Sequence, residues 1–220
     1  MLRLELKSIK YIFFDVGYTL INEDKVWEKR CLEQSETEEA KVLGLSSERI
    51  YEEIIQASLA YKPQYKTVVK KFDFKEVAKY NHSLEELYEG ADLVLSKLSS
   101  SYKLGIIANQ TNGLVERLES LGILKYFSII ISSSDCSVMK PDPKIFEIAV
   151  EKSGCKPEET IMIGDRLDND IFPAKQIGMK TIWIKQGFGG IQKPKLKEYI
   201  PNEEISKLED LLKIFDIRRK

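Results

Sequence analysis

The chain has 220 residues, 43% of them hydrophobic and 31% charged, which is enough for one full core and a small second lobe. Its 34 Lys and Arg residues nearly balance its 35 Asp and Glu residues, and a formal net charge of -1 gives no electrostatic argument for a nucleic-acid partner or an anionic membrane surface. No apolar run reaches the roughly 18 residues that a membrane-spanning helix needs, so we expect none.

The cysteines and the single histidine narrow the chemistry further. Cys31, Cys136 and Cys155 show neither metal-ligand spacing nor a disulfide framework, which predicts free thiols and a cytoplasmic location. His82 alone excludes a zinc site built on several histidines, and no nucleophile motif accompanies it. We expect it to face solvent or to cap a helix.

The first part of the chain predicts a strand followed by a helical insert. The apolar run from Ile9 to Phe14 is rich in β-branched and aromatic residues and is typical of a buried strand. From about residue 23 to residue 79, apolar residues recur at helical spacing. Gly44 is predicted to end one helix, Ser46 or Ser47 to cap the next, and Pro63 to interrupt the pattern.

The rest of the chain alternates between helices and strands. The predicted strands are YKLGIIA, FSIIISS, TIMIG and KTIWI, and the predicted helices are ADLVLSKLSS, LVERLESLG, PKIFEIAVEKSG and DIFPAKQIG. Such alternation predicts an α/β fold with a doubly wound parallel sheet, buried on both faces. GFGGIQKPK is predicted to be an exposed loop. We place the α/β core at residues 1–21 and 88–220, and the all-helical insert at residues 22–87.

Polar residues follow the predicted strand ends, where an open parallel sheet binds its ligands. These residues are Asp15, Asn109, Gln110, Lys140, Asp165, Asp168 and Asp170. Carboxylates that meet at one rim repel each other unless a divalent cation lies between them, and an all-oxygen ligand set favours magnesium. A cation and a lysine that face one free carboxylate suit a phosphate ester, because they screen the phosphoryl charge while Asp15 attacks phosphorus.

Four of these residues also have a simpler structural interpretation. Asp15 could form a turn at the end of a strand, and Lys140 could lie at the surface before a helix that Asp142 caps. Asp168 and Asp170 could favour the N-terminus of the next helix, and for Asp168 we adopt this interpretation.

Four motifs resemble those of the haloacid dehalogenase-like superfamily of phosphohydrolases, and the resemblance extends over essentially the whole chain. They are FFDVGYTL, GIIANQ, KPDPKIF and IGDRLDND, in this order. The order and spacing of the last two are the most specific feature. The resemblance implies a Rossmann-like core, and the insert at residues 22–87 resembles the small helical cap of the family.

The resemblance also implies a site and a mechanism. Asp15 would form an aspartyl-phosphate that water hydrolyses, and Lys140 would steady the nucleophile and the phosphoryl oxygens. Magnesium would be held by Asp15, the backbone carbonyl of Gly17, Asp165 and Asp170. The substrate's phosphoryl group would bind at Ala108 and Asn109, where the Asn109 N–H can donate a hydrogen bond.

Two positions depart from the family pattern. Family phosphatases usually carry Asp where this chain has Gly17, and that Asp protonates the leaving group; the loss of a general acid costs about 10² to 10⁴ in rate. Ala108 replaces the Ser or Thr that would bond a phosphoryl oxygen. The missing proton could come from the substrate or from a cap residue, for instance Tyr18, Tyr61 or His82, and the sequence does not choose among them.

The leading hypothesis is a magnesium-dependent phosphatase whose partner is a small phosphorylated substrate, with neither nucleic acid nor a membrane. The alternative is a catalytically weak phospho-ligand binder or regulator, which Gly17 and Ala108 favour. A third hypothesis, dehalogenation, needs no magnesium and leaves the acids of IGDRLDND unexplained. The sequence identifies neither the substrate nor the oligomeric state.

Overall fold

The computed structural model describes residues 6–217, and its central feature is a six-stranded parallel sheet. In chain order the strands are β1 Tyr11–Phe14, β2 Ile21–Asn22, β3 Glu86–Leu87, β4 Lys103–Ala108, β5 Phe127–Ser132, β6 Thr160–Gly164, β7 Lys180–Ile184 and β8 Glu203–Ile205. The sheet order is β5-β4-β1-β6-β7-β8, and β2 and β3 pair separately as a short antiparallel ribbon.

Within residues 6–217, nine α-helices lie between these strands along the chain, and a tenth follows β8. They are α1 Asp24–Ser35, α2 Glu38–Val42, α3 Ser47–Leu59, α4 Gln64–Phe72, α5 Ala91–Ser99, α6 Leu114–Ser120, α7 Ser133–Cys136, α8 Pro143–Ser153, α9 Phe172–Gln176 and α10 Asp210–Ile214. A π-helical turn, Leu167–Ile171, precedes α9. The predicted α/β class and doubly wound parallel sheet are confirmed.

The central strand β1 shows why the sheet is covered on both faces. Successive side chains of a strand point to opposite faces, and all four residues of β1 are buried. Ile12 and Phe14 belong to the core cluster that includes residues of α5 and α10, whereas Tyr11 and Phe13 belong to the cluster on the side of α8 and α9. A polar residue on either face would lose its hydration, so both faces select apolar side chains.

The helical insert lies between the two strands of the short ribbon and has its own core. Ile50, Ile54 and Val68 are buried together with Cys31 of α1. The predicted helix boundary signals are present: Gly44, two residues after the end of α2, has φ +63°, and the Ser46 hydroxyl accepts a hydrogen bond from the Arg49 N–H at 3.2 Å. The domain boundaries at residues 22 and 87 coincide with ribbon strands and stay a prediction.

The insert departs from the predicted helix pattern at one point. The sequence predicts one continuous helix up to Gly44, but the structure has two. Helix α1 ends at Ser35, and α2 begins after Thr37, whose extended backbone and hydroxyl cap it through a hydrogen bond from the Ala40 N–H at 3.3 Å. A threonine at an N-cap competes with continued helix formation, which accounts for the break.

The loop GFGGIQKPK is not the exposed loop that its composition predicts. Phe188 is only 3% exposed, and its ring packs edge-on against Tyr18 at 5.3 Å and Trp27 at 5.4 Å. Glycine permits this approach, because a Cβ on Gly187 would lie 2.0 Å from the Tyr18 ring and one on Gly189 would lie 2.5 Å from the Asp165 carbonyl oxygen. The first half of the loop is therefore packed against the core, and in the second half Ile191 and residues 193–195 are exposed while Gln192 is buried.

Other expectations concern the thiols, His82 and the membrane. The three cysteines are free thiols, and Cys31 is buried. The His82 Nδ1 lies 2.8 Å from a Glu85 carboxylate oxygen, and the residue before it, Asn81, caps the short turn. Within residues 6–217, no helix combines the length and the apolar character needed to cross a bilayer. A cytoplasmic location stays a prediction.

Candidate active site

The sheet order brings the predicted rim residues together. β1 lies between β4 and β6, so Asp15 and Asp165, which follow the ends of β1 and β6, are neighbours. The Asp15 N–H donates to the Ile163 carbonyl oxygen at 2.9 Å, which extends the strand pairing up to the carboxylate. The strands themselves therefore hold both side chains at one edge of the sheet.

Asp170 joins this pair by means of the π-helical turn. The turn carries Asp170 back over the end of β6, where the Arg166 N–H donates to its Oδ2 at 2.9 Å. The approach requires a glycine below it, since a Cβ on Gly164 would lie 2.4 Å from the Asp170 Cγ. One oxygen from each of Asp15, Asp165 and Asp170 lies within 4.8 Å of the others, and all three residues are buried.

Burial and mutual repulsion disfavour three negative charges at this spacing. Burial raises the pKa of Asp165 well above its usual range, and the neighbouring carboxylates Asp170 and Asp15 add to the effect. Burial likewise raises the pKa of Asp170 to about 6, although Lys140 opposes the shift. The cluster is therefore short of positive charge, and its oxygen-only donors are those that magnesium prefers.

Lys140 supplies part of that charge. Its Nζ lies 2.5 Å from Oδ1 of Asp15 and 2.5 Å from Oδ1 of Asp170, and the residue is only 4% exposed. Burial alone would lower its pKa, but Asp15 and Asp170 outweigh burial and raise it, so the ammonium stays charged. The surface interpretation of Lys140 is wrong, whereas the predicted cap is present: Asp142 accepts a hydrogen bond from the Lys144 N–H at 2.9 Å.

Asn109 holds the backbone of Lys140 in place. Its side-chain amide donates to the Lys140 carbonyl oxygen at 2.8 Å and accepts from the Lys140 N–H at 2.7 Å. Both ends of the amide are engaged, although Asn109 also lines the cavity beside the cluster. Ala108, the last residue of β4, is fully buried in the apolar core. The predicted contacts of Ala108 and Asn109 with a phosphoryl group stay predictions.

Asp168 does not have the role that the sequence favoured. Instead of only adding charge at a helix terminus, its carboxylate accepts hydrogen bonds from Arg166 at 2.5 and 3.0 Å and from the Gln192 amide at 2.9 Å. Arg166 also donates to the Gln64 Oε1 at 2.5 Å and to the Lys62 carbonyl oxygen at 3.3 Å. This network joins the core to the segment between α3 and α4 of the insert.

Sequence reasoning missed Glu23, which lies between β2 and α1 and is buried. The Trp27 indole N–H donates to its Oε2 at 3.0 Å, and the Tyr80 hydroxyl lies beside it. Burial raises the pKa of Glu23 to about 7, and the charge of Asp15 adds to the rise. An acid in an otherwise polar stretch, INEDK, carries no periodic or motif signal that would have identified it.

The three residues that the sequence suggested as proton donors are engaged elsewhere or direct their polar group away from the cavity. Tyr61 donates to the Lys193 carbonyl oxygen at 2.7 Å, and His82 is engaged with Glu85. Tyr18 lines the cavity, but its hydroxyl is buried among insert residues, near Asp24.

The cavity itself is small, at about 160 Å³. The carboxylate cluster and Lys140 form its floor, and Glu23, Trp27 and Gln64 of the insert region line it together with Arg166. A cavity of this size admits a phosphoryl group and a few further atoms, since sites for drug-sized ligands are about 300 Å³ or more.

Comparison with known proteins decides the family. The family model described as haloacid dehalogenase-like hydrolase matches residues 12–184. The chain belongs to the haloacid dehalogenase-like hydrolases. A glyceraldehyde 3-phosphate phosphatase of Pyrococcus abyssi is 32% identical to this hydrolase, over 94% of each chain. The predicted family and the prediction of a phosphatase-type hydrolase are confirmed.

Solved structures agree with this assignment. A HAD phosphatase from Thermococcus onnurineus superimposes with a TM-score of 0.69 at 28% identity, covering 96% of this chain and 100% of its own. The HAD-hydrolase YfnB of Bacillus subtilis, described as bound to magnesium and showing interdomain movement, has a TM-score of 0.70 at 25% identity, with coverage of 95% and 99%. Both comparisons extend over the helical insert as well as the sheet.

Proposed function

We propose that this hydrolase is a magnesium-dependent phosphatase that removes the phosphoryl group of a small metabolite through an aspartyl-phosphate at Asp15. The observation that carries the proposal is the position of Lys140, whose ammonium lies 2.5 Å from both Asp15 and Asp170 beside the Asp165 carboxylate. A buried lysine between carboxylates offsets part of their negative charge and leaves one of them able to attack phosphorus.

The residues fit a magnesium ion. Asp15, Asp165 and Asp170 offer oxygens within 4.8 Å of one another, and burial, with the charges of Asp170 and Asp15, raises the pKa of Asp165. With the backbone carbonyl of Gly17, they would hold the ion. When bound, magnesium would supply positive charge to the carboxylates and the phosphoryl oxygens. The relative described as magnesium-bound supports this assignment.

This chain's own residues account for the other requirements of the reaction. The Asp15 carboxylate attacks phosphorus, and the Lys140 ammonium orients Asp15 and stabilises the charge that develops on the phosphoryl oxygens. The helices of the insert act as a cap that limits the access of water, since Trp27 and Gln64 line the cavity.

The size of the cavity and the curated relative together suggest the substrate class. A volume of about 160 Å³ suits a phosphate ester of about three carbons, and the relative from Pyrococcus abyssi is named for such a substrate. The polar residues that line the cavity outside the carboxylate cluster include Arg166, Gln64, Gln110 and Asn169, and Arg166 already donates to Gln64 and Asp168. The alternative, a weak phospho-ligand binder, is favoured by Gly17 and Ala108, and turnover measurements separate the two.

The test is a screen of phosphate esters of small sugars and acids with and without magnesium, followed by acid quenching and mass spectrometry of the Asp15 peptide. We expect phosphate release that requires magnesium and a phosphoryl group on Asp15. Asp15→Asn should show neither, and Asp73→Asn is its matched control, because the Asp73 side chain is 84% exposed. Binding of phosphate esters without turnover would support the alternative, and turnover in EDTA would contradict the proposal.

A further inference from the structure

The carboxyl group of Glu23 occupies the space that a side chain on Gly17 would fill. A Cβ built on Gly17 would lie 2.3 Å from the Glu23 Oε1 and 2.9 Å from its Cδ. A Cβ does not come this close to an atom to which it is not bonded, so the two positions share one volume. Glycine at position 17 is what allows the Glu23 carboxyl group to reach the cavity next to the nucleophile's loop.

The position of Glu23 is fixed from the side away from the cavity. Trp27, one turn later in α1, donates to Oε2 at 3.0 Å. The Tyr80 hydroxyl next to Glu23 donates onward to the Glu85 Oε1 at 3.2 Å. These contacts direct Oε1 toward Gly17, two residues after Asp15. The carboxyl group is therefore oriented by aromatic neighbours of the insert and not by the metal-binding cluster.

Phosphate ester cleavage needs a group of this kind. When Asp15 attacks phosphorus, the ester oxygen leaves with the bonding electron pair, and an alkoxide leaves slowly unless it is protonated. Three of the carboxyl groups that line the cavity, those of Asp15, Asp165 and Asp170, form the cluster. The ammonium of Lys140 is paired with Asp15 and Asp170. Within the described part of the chain, Glu23 is the carboxyl group that lines the cavity outside this cluster.

We infer that Glu23 is the catalytic proton donor to the leaving oxygen, a role that rests on the proposed phosphatase reaction at Asp15. The Asp15 oxygen forms a bond to phosphorus, the ester P–O bond breaks, and the leaving oxygen takes the Glu23 proton to become an alcohol. The Glu23 carboxylate then accepts a proton from the water that attacks the aspartyl-phosphate. Cleavage of that P–O bond returns the electron pair to Asp15 and releases phosphate.

The first test is the near-isosteric substitution Glu23→Gln, which keeps an acceptor for Trp27 but cannot deliver the proton. We expect kcat on glycerol phosphate to fall by about 10² to 10⁴, and kcat on p-nitrophenyl phosphate, whose phenolate leaves without protonation, to fall by less than about tenfold. Glu28→Gln, on the exposed side of α1, is the matched control and should leave both rates unchanged.

The second test moves the carboxyl group from position 23 to position 17. Gly17→Asp alone should lower activity, because its side chain overlaps Glu23. Combined with Glu23→Ala, the same substitution should raise turnover of glycerol phosphate at least about tenfold above Glu23→Ala alone. The rescue shows that an acid in this volume restores the rate, whereas the selective loss with Glu23→Gln is the result that a merely structural role of Glu23 would not produce. Melting temperature and magnesium affinity, measured by calorimetry, show whether each variant is folded.

The outcomes separate this inference from the proposed function. An unselective loss on both substrates with Glu23→Gln, an unchanged rate on glycerol phosphate, or a double variant no better than Glu23→Ala would overturn the role of Glu23 alone. A wild-type protein that hydrolyses neither substrate with magnesium would overturn both conclusions. Selective loss together with rescue would establish Glu23 as the donor.

Discussion

Replacement of Lys140 by methionine should destabilise the metal-free protein and nearly abolish turnover. At 2.5 Å, each contact with Asp15 and Asp170 contributes roughly 7 kcal/mol of Coulomb attraction in an effective dielectric of about 20, much of it offset by desolvation. Removing one partner of such a buried group leaves uncompensated charge, which costs about 3–5 kcal/mol. Methionine fills about the same volume as lysine, so the loss of stability reflects the missing charge and not an empty cavity.

The assay is urea unfolding in EDTA and in magnesium, together with phosphate release. We expect the free energy of unfolding in EDTA to fall by about 3–5 kcal/mol, magnesium to restore part of it, and kcat to fall at least about a hundredfold. Magnesium should also bind more tightly, since the competing ammonium is gone. The control Lys144→Met removes an exposed pair with Glu147 and should cost under about 1 kcal/mol. A folded Lys140→Met protein with full activity would refute the reasoning.

Three further predictions test other parts of the site. Asp15→Asn should abolish turnover and the phosphoryl adduct while the protein stays folded, because an amide cannot attack phosphorus; residual turnover would exclude Asp15 as the nucleophile. Gln192→Ala should lower the free energy of unfolding by about 1–3 kcal/mol, because it leaves the buried Leu167 N–H without its acceptor and removes the hydrogen bond to the Ser58 carbonyl oxygen; an unchanged urea midpoint would contradict this. Because the pKa of Asp170 is raised to about 6, the folded protein binds a proton that the unfolded chain releases. The metal-free protein should therefore lose stability as the pH rises from about 4 to about 7. Urea midpoints in EDTA should fall over that window and fall less with magnesium, and a rise in EDTA would contradict the assignment.

The sheet and its rim were predictable because both depend on short-range patterns. Apolar runs identified the core strands except β8, whose three residues, Glu203–Ile205, include only one apolar side chain. Parallel strands end at the same edge of a sheet, so Asp15 and Asp165 could be placed together before any coordinate was known. The spacing in IGDRLDND identified Asp170, although the sequence did not show that a π-helical turn would bring it back.

The other features depend on contacts between distant segments. Asp168 follows Arg166 by two residues, but its role became clear only with Gln192, from a loop that composition assigned to solvent. Glu23 was missed for the same reason, since its meaning lies in the space left by Gly17 and in the indole of Trp27. The Glu23 carboxyl group fills space that is empty because residue 17 is glycine, and a single sequence carries no pattern that shows such a relationship.

The glycines of the loop at residues 187–190 have a consequence for how this protein can diversify. Gly187 and Gly189 lie so close to Tyr18 and the backbone of Asp165 that even alanine would displace the chain from the catalytic rim. The loop looks permissive in composition, yet its tolerance of substitution should be among the lowest in the molecule. Variation that alters substrate range is instead open to Gln64, whose side chain lines the cavity from α4. Selection can thus change the part of the cavity that the insert lines while Gly187 and Gly189 stay constant.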